Sequence, residues 1–248
     1  ANAAFGTRLE NLHLDCDDRV EVCVFSSQIN EQSGVFNCIV HKFTSIGVDY
    51  DRTGGGYVQI PGGVEDSEIA PTANGGWLYG IRMTGYNNAR ISHCTINSGT
   101  ASSIGTAGVY IDTCTPFSIE KMHIERSDDA VFVTGSTSFG TITNVTATTD
   151  VGDNGVYLDT GTTGRITVQD LYAPNATNVL TDVPAGNTMT AAAAAGYVGF
   201  YMVEKSTGSQ LSAPVITSTP GFTTRMKGAL NMYESAIIHT RNNQSAGS

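Results

Sequence analysis

Gly108-Val109-Tyr110-Ile111-Asp112 and the downstream Phe117-Ser118-Ile119-Glu120-Lys121-Met122-His123-Ile124 decide the fold, because both patterns recur along the chain in phase. The first alternates apolar and other residues, the period of a strand with one buried face. Its further copies are Gly47-Val48-Asp49-Tyr50-Asp51, Gly80-Ile81-Arg82-Met83-Thr84, Ala130-Val131-Phe132-Val133-Thr134 and Gly155-Val156-Tyr157-Leu158-Asp159. The second sets an apolar residue, then a small or apolar residue three positions on, then another two further. It reads Leu9, Leu12, Leu14, then Val35, Cys38, Val40, then Val64, Ser67, Ile69, and Ile91, Cys94, Ile96. Ile119, Met122, Ile124, then Ile142, Val145, Ala147 and Val168, Leu171, Ala173 complete it, with leading residues 26, 29, 27, 28, 23 and 26 positions apart.

An uneven but persistent period of this length, with two or three short strands per repeat separated by Gly, Asn, Asp, Ser and Thr, describes one coil of a solenoid. No coil buries its inward Val and Ile alone. Coils stacked about 4.8 Å apart line the axis with a continuous dry core. The dominance of Thr, Val, Ile, Gly and Asn favours strands and tight turns over helical repeats, and the Leu and Asn spacing of leucine-rich repeats is absent. The expected fold class is all-β, a single-stranded parallel β-helix of about seven coils over residues 1–183, with a non-repeating module over residues 184–248. In that module Ala191 to Ala195 is an alanine run and Gly196 to Val203 reads as a strand. Met226, Leu230, Tyr233 and Ile237 recur at helical spacing. Its expected role is a cap against edge-to-edge growth or an oligomerisation element.

With 23 acidic against 13 basic residues the net charge is −10, which argues against nucleic acid or an anionic membrane as a direct partner. No stretch approaches the ~20 apolar residues of a membrane span. The chain opens on Ala1 without a basic-then-apolar leader, so it is expected to be a processed form or a piece of a longer protein. Of the five cysteines, Cys38 and Cys94 share one inward position, and Cys16, Cys23 and Cys114 lie near coil corners without metal-ligand spacing. All five are expected to be reduced structural thiols, as in a cytoplasmically assembled protein, with no metal and no cofactor. The sequons at Asn144, Asn175 and Asn243 are expected by chance in so Asn- and Thr-rich a chain.

Outward positions of the first motif form two columns: Asp49, Arg82, Tyr110, Phe132, Tyr157, Leu180, and beside it Asp51, Thr84, Asp112, Thr134, Asp159, Asp182. Aromatic rings that stack on sugar faces and carboxylates that accept hydroxyl hydrogen bonds are the composition of a carbohydrate groove. Asp112 and Asp159, two coils apart at about 9.6 Å, sit at the upper edge of the separation of an inverting glycosidase pair, and Asp159 and Asp182 approach the retaining distance. Asp112 and Asp159 are the expected catalytic residues, with Tyr110, Phe132, Tyr157, Asp51 and Arg82 as glycan contacts. Asp and Thr at strand ends also bond their own turns. Glu120, Glu125, Asp128 and Asp129 bracket His123 and Arg126, a cluster suited to a cation or to acid and base chemistry but expected to be a solvated corner. Gly54-Gly55-Gly56, Pro61-Gly62-Gly63 and the stretch from Asn97 to Ala107 read as loops bulging from the coils.

The repeated Gly-Val-Tyr-Ile-Asp and Gly-Val-Tyr-Leu-Asp strands and the strand at Phe117 to Ile124 resemble the right-handed β-helix of the pectate-lyase-like superfamily over residues 7–182, and within it the phage tailspikes. No catalytic signature of the pectate lyases or polygalacturonases is present. The resemblance implies a right-handed helix and a homotrimeric virion protein, assembled in the host cytoplasm alongside other virion proteins. It further implies recognition, and in some members cleavage, of bacterial surface polysaccharide. The alternatives are a non-catalytic structural spike or capsid-surface protein, and a free polysaccharide lyase or hydrolase, since fold alone does not fix function.

Overall fold

A computed structural model describes residues 8–27, 33–52, 59–72, 75–97, 104–206, 209–211 and 215–216. The chain winds as a parallel β-solenoid of about six turns, each with three short faces. The first face stacks β1 (Arg8–Glu10), β4 (Gly34–Phe36), β7 (Gln59–Glu65), β10 (Asn87–Ser92) and the leading halves of β13 (Phe117–Glu125), β15 (Ser136–Thr148) and β17 (Thr163–Tyr172). The second stacks β2 (His13–Asp15), β5 (Ile39–His41), β8 (Glu68–Ala70), β11 (Thr95–Ile96) and the trailing halves of β13, β15 and β17. The third stacks β3 (Val22–Ser26), β6 (Ile46–Asp51), β9 (Trp77–Thr84), β12 (Gly105–Asp112), β14 (Ser127–Thr134), β16 (Asn154–Leu158) and β18 (Asn178–Asp182).

The leading apolar residues pair as one ladder through the stack: Leu9 with Val35, Val35 with Val64, then Ile91, Ile119, Ile142 and Val168. Leu14, Val40, Ile69, Ile96, Ile124 and Ala147 form the second inward ladder. Seven rungs therefore enclose about six turns. From Val35 to Val168 the first ladder is at most 1% exposed, and each such side chain contributes roughly 1.5–3 kcal/mol by leaving water. Between the ladders every coil turns a corner on a residue with positive φ: Asn11, Asn37, Asp66, His93, Lys121, Asn144 and Asp170. Asn and Asp tolerate this left-handed conformation better than most residues.

Entry to the third face needs small residues. A Cβ on Gly47, Gly80 or Gly108 would lie 2.6, 2.7 or 2.5 Å from a methyl of Ile69, Ile96 or Ile124, respectively. At the next rung the column carries Ala130, on the coil whose second inward ladder carries Ala147.

The thiols of Cys38 and Cys94 pack inward as expected and reach the carbonyls of Phe36 and Ser92 at 3.3 and 3.2 Å. Burial pushes the thiols of Cys94 and Cys114 up to about 12. The expectation for Cys16 and Cys23 is corrected: the two are joined as a disulfide. The corner between β2 and β3 turns the chain back so that their Cα atoms stand 6.3 Å apart, within bridging range.

After β18 the parallel pattern ends. The turn through Val183 to Gly186 reverses the chain into β19 (Asn187–Thr190), antiparallel to β18. A single helical turn, α1 (Ala191–Ala194), is capped by the Thr190 hydroxyl accepting from the Ala193 amide at 3.2 Å. β20 (Tyr197–Ser206) then runs antiparallel along β17 and itself pairs with β21 (Ser209–Leu211) and β22 (Val215–Ile216). The fully buried Asp182 anchors this end, accepting from the Tyr201 hydroxyl at 2.5 Å and the Ala185 amide at 3.1 Å. Gly54-Gly55-Gly56 and the helical spacing from Met226 to Ile237 lie outside the described residues, as do residues 98–103, whereas Gly105 to Ala107 belong to β12. Pro61-Gly62-Gly63 is strand, inside β7, and the pairing of β7 with β10 shifts register there.

Candidate functional site

Outward residues of the third face supply the candidate site, since strand alternation sends Val109, Ile111, Val131, Val133, Val156 and Leu158 into the core and their neighbours to the surface. One column runs in register from Phe25 through Asp49, Arg82, Tyr110, Phe132 and Tyr157 to Thr181. The expected Leu180 is corrected to Thr181: Leu180 pairs with Val156 and is fully buried. The second column runs through Asp51, Thr84, Asp112 and Thr134 to Asp159. Asp182 drops out of it, because it pairs with the inward Leu158 and is buried in the cap, which removes the one-coil pair with Asp159.

The aromatic residues meet one another. Tyr79 and Tyr110 rings lie 4.5 Å apart, Tyr110 and Phe132 stack at 5.3 Å with 16° between planes, and Phe132 and Tyr157 lie 5.1 Å apart. Parallel in-register strands place like residues one rung apart, so stacking of the ladder's own rings follows from the fold. Burial pushes the Tyr110 hydroxyl up to about 12, reinforced by Asp112.

Arg82 is committed at the head of this stack. Its guanidinium grips the buried Asp49 with two hydrogen bonds of 2.7 Å and reaches Asp51 at 3.2 Å. The fork geometry matches a carboxylate, and the Asp49 bond holds the arginine above its ordinary pKa. Asp112 and Asp159 flank Thr134: Thr134 is in register with Asp112 and donates its hydroxyl to Asp159 at 3.0 Å. Asp112 also accepts from Thr113 at 2.7 Å and Asp159 from Thr160 at 3.3 Å, so both carboxylates bond hydroxyls of their own turns.

The acidic group from Glu120 to Asp129 is divided among the faces. Glu120 pairs with Arg90 on the first face, and Glu125 accepts from His123 at 2.9 Å on the second. Arg126 bonds Asn97 at 2.8 Å. Asp128 and Asp129 open the third face. Asp129 reads as a turn residue in the sequence, yet only 9% of its surface is exposed, and its Oδ1 accepts from Asn154 Nδ2 at 2.7 Å. Asn154 is oriented by Thr181 and Asn178, which donate to its Oδ1 at 2.6 and 3.2 Å. Burial raises the Asp129 carboxyl to about 6, against the Asn154 hydrogen bond and with help from the charges of Asp153 and Asp128. The spacing of Asp129, Asn154 and Asn178, 25 and 24 residues, is the signal that could have found this polar ladder.

Among the described residues no three His, Cys, Asp or Glu side chains converge as a metal site, and no helix is long and apolar enough to cross a membrane. No family model matches the chain, and neither the curated proteins nor the solved structures contain a match to it.

Proposed function

We propose that the chain is a tailspike-like or tail-fibre-like virion protein that recognises bacterial surface polysaccharide along the outward columns of the third face. The observation that carries this reading is the strip of Tyr110, Phe132 and Tyr157 beside Asp112, Thr134 and Asp159 on one rigid surface. Aromatic rings and hydroxyl acceptors in parallel rows suit a repeating polymer of sugars better than a compact metabolite. In this reading Asp51 and Arg82 edge the glycan path, and Asp112 and Asp159 are the pair that cleaves, one protonating the leaving oxygen and the other activating water. Homotrimer assembly and neighbouring virion proteins belong to the same reading.

The test joins the mass of the native protein by light scattering to reducing-sugar release from purified bacterial capsular and O-chain polysaccharides. A trimer that depolymerises one of them, and whose Asp112→Asn and Asp159→Asn variants bind but no longer cleave, is the expected result. Unchanged turnover in both variants would remove the catalytic assignment. A second reading, a non-catalytic spike, is favoured by the threonine hydrogen bonds that both aspartates already hold, and it predicts an inert trimer.

A further inference from the structure

The faces of Tyr110 and Phe132 are both covered, Tyr110 by Tyr79 and Phe132, and Phe132 by Tyr110 and Tyr157. An interior ring of this stack, half-buried, presents a ligand its outer edge and not a face. In the column, the rung before Tyr110 is filled by Arg82, locked to Asp49 and Asp51. The far end differs. Tyr157 is covered on one side by Phe132, while in register on its other side stands Thr181, and beyond it the exposed Thr188 of β19. The ladder of rings therefore ends in a step down to two small side chains.

We propose that this step is a pyranose subsite: one sugar ring lies against the outer face of Tyr157, above Thr181 and Thr188, where the next rung's ring would continue the stack. The inference rests on the glycan reading and narrows it to a place and a sugar class. Rung spacing of about 4.8 Å is the separation at which a flat ring packs on its neighbour. The apolar C–H face of the pyranose covers Tyr157. Its hydroxyls meet Asp159, which lies on the same outward side of the strand two residues on, and the Thr188 hydroxyl. The Thr181 hydroxyl is directed to Asn154 Oδ1 at 2.6 Å, so Thr181 acts as floor. With Asp159 at its edge, in a chain of net charge −10, the step selects an uncharged pyranose over a uronate.

The experiment is titration calorimetry of wild type, Tyr157→Ala, Thr181→Phe and Thr181→Ala with oligosaccharides from the polysaccharide that wild type binds in a panel of purified bacterial capsular and O-chain polysaccharides. Thermal melts serve as the folding control. Tyr157→Ala is expected to weaken binding about tenfold. Thr181→Phe fills the step with a ring and is expected to abolish binding at the end of the stack, while Thr181→Ala, which leaves the step open, stays within about twofold of wild type. Folded Tyr157→Ala and Thr181→Phe proteins that bind like wild type would overturn the subsite and leave glycan recognition standing. A wild type that binds nothing in the panel would overturn both.

Discussion

Replacing Asp129 by Asn should stabilise the protein at neutral pH and do progressively less on acidification. The carboxyl is 9% exposed, its Oδ1 held by the Asn154 amide, and its folded-state pKa is raised from 3.8 to about 6, chiefly by burial. A raised carboxylate pKa means that the folded state binds the proton more tightly than the unfolded chain. Stability is therefore greatest with Asp129 protonated and is lost as pH rises from about 4 through 6. Two pKa steps of about 1.4 kcal/mol each put the loss near 3 kcal/mol at pH 7.5, against only a few tenths of a kcal/mol at pH 4. Asparagine keeps an oxygen for the Asn154 bond and carries no charge, as Asn154 and Asn178 show at the next two rungs. Urea denaturation of both proteins at pH 7.5 and pH 4 measures the two gaps. A gain of about 2–3 kcal/mol that shrinks to a few tenths fits the reasoning. An equal effect at both pH values, or a loss at pH 7.5, would refute it.

Thiol counting should find three reactive cysteines in unfolded, unreduced protein and five after reduction, because Cys38, Cys94 and Cys114 are free and Cys16 and Cys23 are joined. In the folded state the three buried thiols should react slowly with a thiol reagent, and five thiols without reductant would contradict the disulfide. Tyr201→Phe removes a donor from the fully buried Asp182 carboxylate and should cost about 1.5–3 kcal/mol in denaturation, read as a lower urea midpoint. Gly108→Ala presses a methyl to 2.5 Å from the Ile124 Cγ2 and should cost roughly 1–3 kcal/mol, with a part regained in the double variant with Ile124→Ala. Strict additivity of the two substitutions would show that the clash is absent.

The inward ladder from Leu9 to Val168 was legible rung by rung, because a residue that must be dry in every coil leaves an apolar mark at every repeat. The corner between the first two faces was less so. Asn11, Asn37, Asp66, His93, Asn144 and Asp170 are residue types that favour a left-handed turn, but Lys121 adopts the same conformation without the preference. The outward column went astray at its last member, since Val179 and Leu180 are both fully buried and blur the alternation that should separate them from Thr181. The disulfide left no trace, because a separation of seven residues across a corner is not a motif. Asp129 looked like a turn for the same reason that it is buried: it enters the third face where the chain bends, and only the rungs above it, Asn154 and Asn178, reveal a ladder. The residue types of the aromatic strip were legible, whereas its mutual stacking is a property of register.

The most direct test of the account is the binding of wild-type protein to a panel of purified bacterial surface polysaccharides. The account predicts saturable binding to one or a few of them, and a folded protein that binds none across the panel would contradict it.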